Sequence, residues 1–594
     1  MFSINVGLNQ SLSPRVSSNV SLVFKLLFLF YLSVFPMKSF SSVNLVLAGG
    51  ALKTCSSMSL NNCDPSASFD GFKKENLYEI SQSSLQRLKS INQFESNFDK
   101  SLYSIIVGIY SELGEVKLTK DELFDALNEM GFSNKDIRSL SDHSYFTMLD
   151  TLELFQIDSK GQRVVEQVSL ENTKEAASLE VYSSFIEAAR EKHEQKKRDK
   201  DDVLVTIGIV TASSRDPFEA VDFYSGVFNS PDIEVVWLPL TQTYQQARYI
   251  SSLGGDGCNS LTKLRAQNTL FDRERVYPER TALQKKWCDD PNIEIETLSK
   301  LDGIFFNGGD QSKTFAALTT PDGKGTVFLD TLRTIWQNDA IVIGGTSAGT
   351  AVQAGGYFNQ RPVPMLTSGD SKGVLASGVY STPAVSQRCE DEAACQNRLL
   401  EDAVTTNASG GLGFFNYGLL DTHFSERDRE VRLIAATAHS RQLFGFGVDE
   451  TTALVVSSAP KASEMEFKVV GKGGVFIADM TQGREELTYN GKATSQVIAG
   501  EVNFLPAGVQ GRIQNNRLSV NFNTNAKDSL AITLAQNAPS TQGMWRKQSA
   551  QLCDEKDEVH WEAQGNHHVL KRSKESKIEG TNYCGYSKVP FVIY

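Results

Sequence analysis

A serine at position 347 has the surroundings of a nucleophile. It lies in residues 340–352, AIVIGGTSAGTAV, where the β-branched run Ile341-Val342-Ile343 meets a glycine pair and then Thr346-Ser347-Ala348-Gly349. That order spells a strand, a sharp turn and a helix start, with Ser347 at the apex. Small residues flank it because a tight elbow crowds the backbone and leaves no room for larger side chains. The elbow pushes the hydroxyl outward and aims the first amides of the helix at whatever bonds to it. The same letters also suit a structural or phosphate-cradling turn, but a phosphate loop calls for a lysine just before the helix, and none is present.

A serine hydroxyl is a poor nucleophile at neutral pH and needs a base, usually a histidine oriented by a carboxylate. The chain has 7 histidines. His143 and His193 fall in a helical region and His560, His567 and His568 near the C-terminus, which leaves His423 and His439 with the segments around Ser347. His439 sits late in a helix beside Ser440 and Arg441, where interaction with the helix dipole suffices. His423 follows Leu419-Leu420 at a strand-to-helix junction and is the better-placed base. Glu450, Asp449, Asp421 and Glu430 could each orient it, and spacing does not choose among them.

The elements that must hold these residues follow from pattern. From residue 203 strands alternate with helix-length segments: 203–210, 233–238, 303–306 and 340–343 read as strands, then 443–448 and 452–456. Such alternation means crossover connections and a parallel sheet, and open sheets of this kind bind ligands at the carboxyl ends of their strands. Three loops leave those ends together: Thr211-Ala212-Ser213-Ser214, Asn307-Gly308-Gly309-Asp310-Gln311 and the Ser347 elbow. An earlier strand, 43–47, ends in Gly49-Gly50, where amides can approach an anion closely or simply turn. Residues 72–200 read as helical, with a capping box at Thr119-Lys120-Asp121-Glu122 followed by Phe124, Leu127 and Met130 at helical spacing. A second helix fits 174–195 and runs into charged residues that suit a solvated linker. Beyond about residue 482 short strands and turns prevail, clearest at 502–505 and 518–522.

At 594 residues the chain exceeds one ordinary domain. Its net charge of −12 disfavours nucleic acid or an anionic membrane as the main partner. Residues 1–41 read as a signal peptide: Arg15 and Lys25 precede the apolar run 26–35, and Ser39-Phe40-Ser41 supplies small residues for cleavage. The run is short for a membrane span, so export to the periplasm or medium is expected, with a retained N-terminal anchor as the alternative. The 8 cysteines fall into sequence neighbours, Cys55 with Cys63, Cys258 with Cys288, Cys389 with Cys395 and Cys553 with Cys584. Four short bridges suit an oxidising compartment. Without Cys-x-x-Cys or suitably spaced histidines, no metal is expected, and no cofactor.

Four blocks, FNGGDQ, GGTSAG, DTHFSERDREVRL and GVDETTA, resemble the cyanophycinase family of serine peptidases, relatives of aspartyl dipeptidase. They occur in family order, and the resemblance covers residues 43–55 and 203–479. It implies an α/β fold with a mostly parallel open sheet and helices on both faces, class I glutamine amidotransferase-like or flavodoxin-like. A helical insertion (56–202) and a β-rich C-terminal appendage (482–594) are added to a catalytic domain of 42–55 and 203–481. It implies Ser347 as nucleophile, His423 as base, Glu450 as the orienting acid, and an oxyanion hole from Ala348 with Gly309 and Asp310. Gln311, Asp421, Thr422, Arg427, Arg429 and Arg432 match the family's substrate cleft, Thr422 standing where the family usually has glutamine. Three arginines at this spacing cannot share one helical face, so each is either a cleft residue or a scaffold partner of a nearby acid. The substrate implied is cyanophycin or a related aspartyl-linked peptide, cut to β-aspartyl-arginine dipeptides; a homodimer is compatible with this. An aspartyl dipeptidase or isoaspartyl peptidase, or a non-catalytic binding protein on the same fold, are the alternatives, whereas a glutamine amidotransferase would carry cysteine at the elbow.

Overall fold

The strand Val43–Ala48 lies at the middle of the protein, with Leu45, Val46, Leu47 and Ala48 wholly buried. A strand apolar on both faces needs cover on both, and it has it. This is seen in a computed structural model that describes residues 42–594 except 95–99, 197–202, 385–398, 400–401, 459–463, 490–493, 523–542 and 581–583. The expected signal peptide and the Cys389–Cys395 pair lie outside the described residues.

Val43–Ala48 belongs to a nine-stranded sheet. On one side of it, Val342–Thr346, Gly303–Phe306, Val205–Val210 and Ile233–Trp237 follow in that spatial order, all parallel. On the other side, Thr452–Ser458, Glu464–Gly471, Gln510–Gln514 and Arg517–Asn521 are all antiparallel. The expected parallel sheet is therefore one half of a mixed one. Alternate strand residues feed opposite cores, as the period of two requires. Leu45, Leu47, Ile304, Phe306 and Ile343 pack with Phe328, Leu329 and Leu332 of the helix Val327–Gln337. Val46, Ala48, Phe305 and Val342 pack with Val181, Tyr182, Phe185 and Ala189 of the helix Ala176–Lys196. That helix, read from sequence as part of the helical region, thus covers the sheet itself.

A second, eight-stranded sheet starts with Leu419–Thr422 parallel to Phe444–Val448, then continues antiparallel through Gly474–Tyr489, Thr494–Pro506 and Cys584–Ile593 to Asn566–Lys571 and Glu558–Ala563. Two expectations change here. His423 and Glu450 follow strands of this sheet, not of the one that carries Ser347. The C-terminal region is β-rich as read, but its strands are shared between the two sheets, Gln510–Gln514 and Arg517–Asn521 extending the first and the others completing the sheet begun at Leu419, and Gly474–Tyr489 runs through residue 482.

The helical region has its own core, built from Leu88, Ile106, Leu123, Leu127, Met148 and Leu152. Thr119 and Glu122 form the expected capping box on Lys120–Glu129. The region is fastened to the strand-end loops by charge: Arg215 grips Asp150 through two bonds of 2.9 and 2.8 Å, and the fully buried Arg273 reaches Glu153 at 2.7 Å and Asp216 at 2.6 Å. Three cysteine pairs are bridged as sequence proximity suggested, Cys55–Cys63, Cys258–Cys288 and Cys553–Cys584. Among the described residues no helix is long and apolar enough to cross a membrane.

Candidate active site

Ser347 stands between Val342–Thr346 and the short helix Ala348–Ala351, with φ 53° and ψ −118°. A non-glycine residue in that region is strained by roughly 1–3 kcal/mol and persists only where its surroundings over-determine it. They do: its amide donates to the Ala48 carbonyl at 3.0 Å, and the Thr350 hydroxyl donates to Ala48 at 2.7 Å and to Gly345 at 2.8 Å. The need for small neighbours is literal. A Cβ on Gly349 would lie 2.1 Å from the Phe306 carbonyl oxygen.

The Ser347 hydroxyl meets His423 Nε2 at 2.7 Å, and His423 Nδ1 meets Glu450 Oε1 at 2.7 Å. The histidine side chain is 13% exposed and the glutamate 30%. The hydrogen bond to His423, opposed by partial burial and aided by the charges of His423, Arg427 and Lys53, holds the Glu450 carboxyl below the ordinary range. An ionised acid therefore faces the Nδ1 edge of the imidazole. Asp449, the rival acid, is fully buried and turned elsewhere, accepting from the amides of Ser425 and Gly474, each at 3.0 Å.

The two sheets are joined at this point by Gly49-Gly50. Gly49 donates to the Thr452 carbonyl at 2.9 Å and accepts from the His423 amide at 2.8 Å, and Gly50 accepts from the Thr451 amide at 2.8 Å. Gly50 has φ +112°, and a Cβ there would sit 2.5 Å from His423 Nε2. The glycine pair seats the histidine ring, a part that the sequence reading left as turn or anion contact.

The three strand-end loops do meet. Asn307 accepts from the Ser213 amide at 3.1 Å and donates to the Ser214 hydroxyl at 2.7 Å, and a Cβ on Gly308 would lie 3.3 Å from Ser347 Cβ. The Asp310 amide, however, donates to the Ser213 carbonyl at 2.8 Å. It is committed to the scaffold and drops out of the expected oxyanion set, which leaves Ala348 and Gly309.

The expected cleft residues divide. Asp421 is buried and bound by Arg432 through bonds of 2.8 and 2.5 Å, while Arg432 also donates to the Gly369 carbonyl. This pair is scaffold, since neither side chain is open to a ligand. Thr422 is buried too, its carbonyl accepting from Arg429 at 2.6 Å. Burial and the neighbouring Arg432 and Arg427 push Arg429 below the usual guanidinium range, against the pull of Asp421 and Glu450. Gln311 spends its amide protons on the carbonyls of Leu366 and Thr367, both at 3.0 Å, and so clamps the strand Met365–Ser368. Arg427 alone of the three arginines is exposed, close enough to bear on Glu450.

Two groups behind the triad went unread in the sequence. Glu426 Oε2 accepts from the Glu450 amide at 3.0 Å, and Arg546, from the C-terminal region, meets both Glu426 Oε1 and Asp449 Oδ2 at 3.0 Å. Burial and the charge of Asp449 push Glu426 up to about 7, with Arg546 opposing them. Glu426 sits in a block dense with charges, where no spacing singles it out; Arg546 lies in GMWRKQS, which has no pattern at all. Among the described residues no group of three or more His, Cys, Asp or Glu side chains could hold a metal ion.

No family model matches the chain. Among curated proteins, a cyanophycinase of Nostoc sp. is 28% identical over 199 residues, 34% of this chain and 52% of the relative. A cyanophycinase of Synechococcus elongatus is 33% identical over 186 residues, 31% of this chain and 44% of the relative, and one of Geminocystis herdmanii is 28% identical over 232 residues, 39% and 63%. The chain thus spans about half the length of the curated relatives it matches. Among solved structures, a peptidase from an acI-B1 Actinobacterium aligns at 16% identity over 46% of this chain and 76% of that one, with a TM-score of 0.25, too loose an overlap to carry an argument. Over about a third of its length the chain is thus similar in sequence to cyanophycinases, the family that the four sequence blocks resemble.

Proposed function

We propose that the protein is an exported serine-type peptidase acting on cyanophycin or a related aspartyl-linked peptide. The observation that carries this reading is the continuous chain of two 2.7 Å contacts from Ser347 through His423 to Glu450. In the proposed reaction His423 Nε2 takes the Ser347 proton as Oγ attacks the scissile carbonyl carbon. The imidazolium so formed is stabilised by the ionised Glu450 at Nδ1. The amides of Ala348 and Gly309 take up the charge that develops on the carbonyl oxygen. His423 then delivers its proton to the leaving amine, which departs and leaves an acyl group on Ser347. A water deprotonated by the same histidine attacks the acyl carbon, and as the intermediate collapses the bond to Ser347 Oγ breaks, the oxygen takes its proton back from His423 and the acid product leaves; in cyanophycin one of the two products is a β-aspartyl-arginine dipeptide.

Arg427 is the cleft cation best placed to meet a substrate carboxylate, being exposed and near Glu450. Residues 42–55 and 203–481 are taken as the catalytic domain, in the flavodoxin-like or class I glutamine amidotransferase-like class that the run of parallel strands suits. The reaction so written needs no metal and no cofactor. Three formed disulfides support export, with residues 1–41 as the signal.

The test is hydrolysis of insoluble cyanophycin by purified protein, scored by released β-aspartyl-arginine, with Ser347→Ala beside wild type. Removal of the nucleophile is expected to cost on the order of 10⁴-fold or more in kcat. Equal rates in the two proteins would sink the mechanism. Inactivity of wild type on cyanophycin, with turnover of aspartyl dipeptides or isoaspartyl peptides that Ser347→Ala lacks, would keep the mechanism and change the substrate.

A further inference from the structure

The acid of the triad is held from behind by the C-terminal region. Glu450 follows the strand Phe444–Val448, and its neighbour Thr451 has φ 54°. The Glu450 side chain is 30% exposed and is directed at His423. Its backbone is held at both ends: the amide donates to Glu426 Oε2 at 3.0 Å, and the carbonyl accepts from the Thr452 hydroxyl at 3.0 Å. Glu426 in turn lies beside Asp449, two carboxylates that repel each other and would part if left alone. Arg546 Nη1 sits between them at 3.0 Å from each. Burial works against the charge of Arg546, but Asp449 and Glu426 hold it well above the usual range, so the cation stays in place.

Arg546 is itself placed with care. It belongs to the helix Met544–Ser549, whose Met544 amide donates to Asp428 at 2.6 Å. The preceding residue, Trp545, is buried in a core packed on the second sheet, against Phe476, Trp561, His568 and Phe591, and its indole N–H donates to Tyr586 at 3.1 Å. Just after the helix, Cys553 is bridged to Cys584 on the strand Cys584–Ile593. An aromatic anchor on one side and a covalent one on the other deliver a single guanidinium to the rear of the site.

We infer that Arg546 is a positioning residue for the reaction: by bridging Glu426 and Asp449 it holds Glu426 against the Glu450 amide and so keeps the Glu450 carboxylate aimed at His423. This rests on the reading of Ser347, His423 and Glu450 as a triad. It gives the C-terminal region a part in the chemistry that its distance along the chain conceals. Misplacement of an orienting group by about 1 Å is worth on the order of 10²-fold in rate, so loss of this bridge should be visible in kcat while substrate contacts, and KM, are spared.

A substrate-independent readout keeps the inference separate from the identity of the substrate. The full chain is treated with a fluorophosphonate reagent, and the rate of labelling at Ser347 is measured by mass spectrometry for wild type, Arg546→Met, Arg546→Lys and Glu426→Leu. Arg546→Met is expected to label at least tenfold more slowly than wild type. Arg546→Lys should recover most of that loss, because a cation is restored between the acids, and free guanidinium should partly rescue Arg546→Met. Glu426→Leu, which removes the acceptor for the Glu450 amide, should slow labelling to a similar degree and carries the test if Arg546→Met does not fold. Wild-type labelling rates in both Arg546→Met and Glu426→Leu would overturn the positioning role while leaving the triad intact. Absence of Ser347 labelling in wild type would overturn the triad reading and this inference with it.

Discussion

A methyl group at Gly50 would lie 2.5 Å from His423 Nε2, the nitrogen that faces the serine. Gly50→Ala therefore has to move the ring or the loop, and with φ at +112° it also strains the backbone, so it is expected to lower kcat about 10²-fold and to lower the Tm as well; an unchanged kcat would mean that the ring does not rest on Gly50. The arginines separate by burial. Arg432→Ala leaves the buried Asp421 with Arg429, 3.5 Å away, as its remaining cation and should cost about 3 kcal/mol of stability, read as a lowered denaturation midpoint. Arg427→Ala, at an exposed position, should leave the midpoint alone and raise KM. Glu426 behaves unlike an ordinary carboxylate, because burial and Asp449 raise it from 4.5 to about 7. A raised acid favours folding below its unfolded pKa, and that contribution is lost as pH rises through the folded value. The Tm of Glu426→Gln relative to wild type should therefore shift in the variant's favour between about pH 5 and about pH 8. Asp449, Glu430, Asp428 and Arg546 share this neighbourhood, so the comparison is between the two proteins at each pH and not along one curve.

At the scale of elements, the elbow and its strands were legible because their patterns are local. Four small residues around one serine, or apolar runs of four to six between glycines, state their conformation within a few positions. Gly303–Phe306 falls on the residues read as strand, and the capping box at Thr119 forms as spaced. What was not legible is which sheet a strand joins. Leu419–Thr422 and Phe444–Val448 are as fully buried as the central strands of the first sheet, and only long-range pairing assigns them to the second. Likewise Arg432 and Arg427 look alike in a charged block, and their separation into scaffold and surface follows from the elements that carry them, Arg427 in the turn Ser425–Arg427 and Arg432 on the helix Glu430–His439 with its guanidinium on the buried Asp421. The helical region shows the same limit, since its docking depends on Arg273, a lone arginine with no local signature. Arg273→Ala, which leaves Glu153 and Asp216 buried without their cation, should cost about 3–5 kcal/mol and loosen residues 140–153 first, as faster amide exchange there.

For the whole molecule, the second sheet ties the site to the C-terminus. A chain ending at residue 481 would cut the strand Gly474–Tyr489 midway and strip from its remaining half the cover of Thr494–Pro506, and unpaired strand edges associate. Residues 42–481 expressed alone should therefore elute as aggregates in size-exclusion chromatography, whereas a monomeric fragment would mean that the tail is separable after all. The position of Val43–Ala48 has a different consequence, one of timing. Its partners are Val342–Thr346 and Thr452–Ser458, which emerge from the ribosome some three and four hundred residues later. At about 5–20 residues per second, an apolar strand that must occupy the centre of the sheet waits on the order of 20–80 s for its neighbours. A strand made so long before its partners is buried late, so refolding from denaturant should be slow, with the amides of Val43–Ala48 gaining protection together with those of Thr452–Ser458.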